Sequence, residues 1–148
     1  MSSVFCFDGV FDGSFFPLEA ACAHVEGREV KKRFLYRIHQ PFMSAKSLRF
    51  AVNHLGVVNP HKFRTDCINE TTLIQEIKNN ARGVVYTYGY IAFNFLTDIL
   101  PNFLIVDLAG RVEAKTLVGQ SSCPYMHNKR YCSADKCILL SNYVVNMY

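Results

Sequence analysis

The first 39 residues constrain the fold most. They hold three apolar runs, Val4–Phe7, Phe15–Val25 and Val30–His39, separated by short stretches that carry turn formers. Asp8 to Ser14 contains two Gly and two Asp, and Glu26-Gly27 reads as a tight turn. Connections this short give antiparallel neighbours, since a parallel return needs a crossover of a dozen or more residues. In the third run Phe34, Tyr36 and Ile38 alternate onto one face. The segment therefore predicts a three-strand antiparallel meander.

After Gln40-Pro41 the period changes. Ser44 to Leu55 predicts a helix, with Leu48, Val52 and Leu55 at helical spacing and Gly56 as the stop. Val57 to Asn69 is irregular. Thr72 with Gln75 resembles a capping box ahead of a helix to about Ala81, with Leu73, Ile74 and Ile77 as its apolar stripe. Val84–Tyr88 is a β-branched and aromatic strand. Gly89 opens a helix over Tyr90–Leu100 that Pro101 terminates. Phe103–Leu108 is another strand, and Gly110 to Ser122 a polar loop. Ser133 is placed to cap a last helix to about Val145, with Ile138, Leu139, Tyr143 and Val144 as its buried stripe.

The expected fold class is α/β: the meander plus two further strands in a mixed sheet, with helices packed on it. The 148 residues, half of them hydrophobic and 19% charged, suit one domain spanning residues 1–148 with a real core. No apolar run reaches the roughly 20 residues needed to span a bilayer. The N-terminal residues lack the basic and then apolar pattern of a signal peptide. Six cysteines scattered at 6, 22, 67, 123, 132 and 137 do not make a secreted disulfide framework. The expectation is an intracellular protein, cytoplasmic or nuclear, with Cys6 and Cys22 as buried small hydrophobes.

Between Cys123 and Cys132 the run Cys-Pro-Tyr-Met-His-Asn-Lys-Arg-Tyr-Cys packs two thiols and an imidazole into ten residues. Cys123, His127 and Cys132 are three of the four ligands of a tetrahedral zinc site. The alternative is a loop with incidental thiols. Glu19 stands in Phe-Phe-Pro-Leu-Glu-Ala-Ala-Cys, an apolar setting in which a carboxylate must be paired, metal-bound or edge-exposed. His24, His39, His54 and His61 have no spacing that argues for a second metal.

The net charge of +4 is clustered. Arg28, Lys31, Lys32, Arg33 and Arg37 form one group. Lys46, Arg49, Lys62 and Arg64 form another, and Lys129 and Arg130 sit between the metal-type ligands. These are the candidate nucleic-acid contacts, to be weighed against an ordinary solvated surface. Among the aromatics around the fourth strand's end, Tyr86, Tyr88, Tyr90, Phe93 and Phe95, most are expected in the core. Tyr88 and Tyr90 beside Gly89 are placed to stack on a base.

The element order is similar to the ribonuclease H-like fold, and more narrowly to its DEDD exonuclease branch. That resemblance implies four carboxylates holding two metals. Asp8 ends the first run as required, but Val10 stands where a Glu belongs and no Asp follows the fourth strand before Asp98. The His-to-Asp spacing at the last helix falls on Cys132 and Cys137, and Asp135 is out of register. Two-metal exonuclease chemistry is not expected; a residual form would have to use Asp8, Asp98 or Asp107.

A second resemblance fits these departures. Phe15-Phe16-Pro17-Leu18-Glu19 resembles the aromatic-x-Pro-x-Glu motif of the Maelstrom domain, a branch of the same superfamily that acts in the piRNA pathway. The Cys, His and Cys before the last helix resemble its C-terminal motif. The resemblance implies that Glu19, Cys123, His127 and Cys132 hold zinc. Cys137, one helical turn past Ser133, is the alternative fourth ligand, ranked below Glu19. A closed four-ligand shell has no position for activated water, so the implied role is structural. It also implies single-stranded RNA binding, metal-independent RNA endonuclease activity and a place in small-RNA gene silencing. The other expectations are a catalytically dead module that docks a protein partner, and a residual 3′–5′ exonuclease.

Overall fold

The computed structural model describes residues 1–40, 43–55, 67–117 and 132–147. β1 (Ser2–Asp12), β2 (Ser14–Glu26) and β3 (Glu29–Ile38) form the expected meander. β4 (Cys67–Ile68) joins β3 in parallel at one edge, while β5 (Val84–Thr87) and β6 (Ile105–Asp107) continue in parallel from β1. The sheet order is β4-β3-β2-β1-β5-β6, a mixed six-stranded sheet. β4 is a short addition that the sequence pattern does not announce. The helices are α1 (Ala45–Phe50), α2 (Glu70–Asn80), α3 (Tyr90–Ile99) and α4 (Ser133–Asn146). No helix among the described residues is long and apolar enough to cross a membrane.

β1 does not end at Phe7. It runs on through Asp12, and the only turn residue left is Gly13, at φ 76°. The Asp and Gly residues of this stretch read locally as a turn, but Val10 and Phe11 pair with Phe16 and Phe15, which keeps the strand extended. Asp8 is thereby placed inside a strand and buried.

Leu18 to Val25 is buried without interruption because both faces of β2 are covered. On one face Val4, Cys6, Ala21, Ala23 and Val25 pack against Cys137, Leu140 and Val144 of α4. On the other, Phe5, Phe7, Ala20, Cys22, Ile38 and Val85 pack against α2 and α3 through Leu73, Ile77, Ala92 and Leu96. Phe34 and Tyr36 lie on this second face, as their alternation predicts.

The first of these faces corrects the predicted stripe of α4. Cys137, Leu140, Ser141 and Val144 are buried, at helical spacing, while Ile138, Leu139 and Tyr143 are only partly so. Two caps also differ. Asn69, not Thr72, caps α2, its side-chain oxygen accepting the Thr72 amide at 2.7 Å. Cys132, not Ser133, is the N-cap residue of α4 and makes no side-chain cap bond. The helix predicted to Leu55 is α-helical only to Phe50 and continues as a π turn over Ala51–Leu55.

A bulge separates Asp8 from Gly9 on β1. Gly9 pairs with Pro17 but Asp8 pairs with Glu19, so Leu18 is the extra residue. A Cβ at Gly9 would collide with the Phe16 carbonyl oxygen and come within 2.8 Å of the Phe15 ring. Gly9→Ala is therefore expected to cost about 2 kcal/mol, read as a lowered midpoint in chemical denaturation. An unchanged midpoint would mean that the bulge tolerates a side chain.

Candidate functional site

The bulge decides which side chains meet. Without it Asp8 would pair with Leu18, and Glu19 would point to the opposite face. With it, Asp8 and Glu19 become cross-strand neighbours on the face covered by α4. Glu19 pairs in turn with Arg37 of β3. Asp8, Glu19 and Arg37 thus form one row across three strands, exposed by only 7%, 2% and 5%.

Two carboxylates cannot be buried side by side without compensation. The first turn of α4 supplies it. The Ser133 amide donates to Glu19 Oε1 at 2.9 Å, and the Ser133 hydroxyl donates to Asp8 Oδ2 at 2.9 Å. The Lys136 ammonium donates to Asp8 Oδ1 at 2.5 Å and stands 3.5 Å from the Phe7 carbonyl oxygen. A helix N-terminus favours negative charge and disfavours a cation, so Lys136 is tolerated there because Asp8 faces it. Burial pushes the Asp8 carboxyl above its ordinary range despite Lys136 and Ser133, and Glu19 adds to the rise. Burial alone would lower the Lys136 ammonium, but the charge and hydrogen bond of Asp8 outweigh it and raise it. The Cys6 thiol, buried below and beside Cys137, is pushed up chiefly by burial.

The Asp8–Lys136 pair forms part of the floor of a cleft of about 320 Å³. Its walls are Phe7, Phe15, Phe50, Tyr88 and the start of α3 from Gly89 to Ala92. It lies beyond the carboxyl end of β5, where open α/β sheets place ligands, and beside the middle of β1 at Phe7 to Gly9. A second groove of about 410 Å³ shares Gly9, Phe50 and Ile91 with it and continues past Phe11 to Lys46. Tyr90 is 71% exposed, Phe11 64% and Phe50 43%. Gly89 sits at φ 95°, a conformation only glycine adopts readily, and its amide donates to Asp107 Oδ1 at 2.8 Å. Together these turn the chain from β5 into α3 so that Tyr90 stands at the cleft mouth. Tyr88 is more constrained: its hydroxyl donates to the Val112 carbonyl at 2.9 Å, and its ring packs toward the α4 side of the sheet. Tyr86 is buried, and Phe95 forms an edge-to-face trio with Phe7 and Phe15 at 5.3 and 5.4 Å.

Of the predicted zinc ligands, Glu19 and Cys132 are brought to the same end of α4. Cys132 precedes the residue whose amide Glu19 accepts, and each is 2% exposed. A thiol and a carboxylate buried together are donor types that suit Zn²⁺. Cys123 and His127 lie outside the described residues. Cys137 turns away into the core, its thiol directed at the Val4 carbonyl oxygen at 3.5 Å. None of the described cysteines is in a disulfide. His24 packs with Nε2 at 2.6 Å from the Asn80 carbonyl oxygen; the side chain of His54 and all of His61 are outside the described residues.

Among the described residues the acidic side chains do not assemble into a two-metal set. Asp107 is occupied with the Gly89 and Ala109 amides, and Asp98 is exposed near the far end of α3. Among the described residues no three His, Cys, Asp or Glu side chains gather to hold a metal.

The basic residues separate into two regions. Arg28, Lys31, Lys32 and Arg33 cluster at the β2–β3 hairpin, where Lys31 pairs with Glu26 at 2.7 Å and Arg33 reaches Asn80 at 3.4 Å. Lys46 and Arg49 lie on α1, near the opposite end of β1. That separation is roughly 33 Å, at about 3.3 Å per residue from Ser2 to Asp12. Arg37 belongs to the buried row rather than to the surface. Lys62, Arg64, Lys129 and Arg130 lie outside the described residues.

Sequence reading passed over Lys136. Its signal was available: a lysine in the first turn of a helix opposes the dipole and calls for a nearby anion.

No family model matches the chain, and no curated protein does. Among solved structures the chain is similar to E. coli Exonuclease I, crystallised in complex with a dT13 oligonucleotide, with a TM-score of 0.62 at 10% identity. The match covers 99% of this chain and 41% of that one, so the chain spans about two-fifths of the length of that enzyme. At this identity the likeness shows the fold alone: a ribonuclease H-like mixed sheet with helices packed on it.

Proposed function

We propose that residues 1–148 form a single nucleic-acid-binding domain of the ribonuclease H-like fold, Maelstrom-like in its departures, that takes single-stranded RNA in the cleft beside β1 and β5. The observation that carries this reading is the aromatic-walled cleft with a lysine ammonium in its floor. Exposed Tyr90, Phe50 and Phe11 offer π-faces to successive bases, and Lys46 offers positive charge to the backbone beside them. That Exonuclease I was crystallised with an oligonucleotide agrees with this use of the fold.

Glu19, Cys123, His127 and Cys132 would hold a zinc ion that ties β2 to the segment ahead of α4. The metal would supply architecture, its shell being closed to water. Any cleavage of RNA would then depend on side chains of the cleft and the basic surface instead of on activated water at the metal. An intracellular setting, cytoplasmic or nuclear, suits a chain with Cys6, Cys22 and Cys137 as buried thiols, and small-RNA silencing is the pathway in which we place it.

The test is fluorescence anisotropy of short single-stranded RNA, single-stranded DNA and duplex RNA over a salt series. Single strands should bind best, with affinity falling steeply as salt rises. Tyr90→Ala should weaken binding by about 10-fold, the order expected for one lost stacking contact of about 1–3 kcal/mol, with no change in the unfolding midpoint. Equal binding of duplex RNA, a flat salt response, or no effect of the tyrosine would refute this reading. Capture of a protein partner by a domain that ignores RNA would favour an interaction module.

A further inference from the structure

We infer that Lys136 is a tethered substitute for a metal ion: its ammonium fills a cation position built from the Asp8 carboxylate and the Phe7 carbonyl at the floor of the cleft. Three observations carry this. Asp8 Oδ1 and Phe7 O both face Nζ, at 2.5 and 3.5 Å, and they are hard oxygen donors of the kind that hold divalent cations. The bulge brings a second carboxylate, Glu19, opposite Asp8, and with Arg37 opposite Glu19 on β3 it is Lys136 that faces Asp8 as its cation. Finally, the lysine reaches this position from the first turn of α4, where a cation is otherwise disfavoured. The cation that balances Asp8 at the cleft floor is thus part of the chain and needs no soluble metal. Resting on the nucleic-acid reading above, this implies that RNA binding does not depend on added Mg²⁺.

Lys136→Ala vacates the position and leaves its oxygen donors in place. The zinc-loaded variant should be restored by a soluble cation. Mn²⁺, or a short alkylammonium ion shaped like the missing side chain, should raise its unfolding midpoint saturably toward the wild-type value. Neither should move the midpoint of the wild type or of the Asp8→Asn, Lys136→Ala double variant. If Lys136→Ala does not fold alone, recovery of folded protein with either cation present during refolding is the readout. Absence of saturable rescue, or equal rescue of the double variant, overturns the proposal whether or not RNA binds. RNA binding by the wild type that requires Mg²⁺ overturns its functional consequence and leaves the rescue result standing.

Discussion

Replacing Lys136 with methionine is expected to destabilise the fold by about 3–5 kcal/mol, the range for removing one partner of a buried ion pair. Asp8 would keep its Ser133 hydrogen bond but lose the ammonium at 2.5 Å while remaining 7% exposed. Methionine matches the length of the lysine stem, so little packing is lost and the effect reports the charge. Adding Asp8→Asn should recover most of the loss, because the remaining groups are then uncharged. Urea denaturation of the four proteins of the cycle measures this coupling. A Lys136→Met variant as stable as the wild type would mean that the pair is solvated rather than buried.

The second large effect concerns Glu19. In Glu19→Ala both the acceptor for the Ser133 amide and the proposed fourth zinc ligand disappear. The expected result is loss of a single zinc per chain by elemental analysis, with unfolding or a strongly lowered midpoint, since structural zinc binding is folding free energy. Glu19→Gln separates the two roles. Its amide oxygen can still accept from the Ser133 amide, but a neutral amide is a poor zinc ligand. Zinc should therefore be lost in both variants, with Glu19→Gln the more stable. Zinc retained in Glu19→Ala would point to another ligand; absence of zinc from the wild type would return Cys123, His127 and Cys132 to the status of loop residues.

Much of the architecture was legible because local signals agreed with tertiary ones. Gly27 marks the β2–β3 turn, Gly89 the entry to α3, and Pro101 the end of that helix, and each boundary falls within a residue or two of the pattern. Elsewhere a long-range partner overrode the local signal. Asp8, Gly9, Asp12 and Gly13 read as turn formers, yet pairing with β2 holds all but Gly13 in a strand. The buried face of α4 is set by the small residues of β1 and β2, which a helical stripe of large apolar residues cannot foretell.

The candidate site was legible in part for the same reason. Glu19 stood out as a carboxylate in an apolar strand, and the structure buries it beside the residue that follows Cys132. Its neighbour Asp8 depends on a one-residue bulge, a register property invisible to composition. Arg37, grouped by charge with Arg28 and Lys31, is separated from them by the alternation of β3 and by pairing with Glu19. Tyr90 was named for its place after Gly89, and its 71% exposure at the cleft is what recommends it over Tyr88.

The central claim is that the cleft binds single-stranded RNA with charge supplied by the chain itself. Its most direct test is anisotropy of a labelled single-stranded RNA with the wild type and Tyr90→Ala, each with and without Mg²⁺ at one fixed salt concentration. The account predicts wild-type binding that Mg²⁺ leaves unchanged and that Tyr90→Ala weakens by about 10-fold. Binding that appears only with Mg²⁺, or that is the same for both proteins, would contradict it.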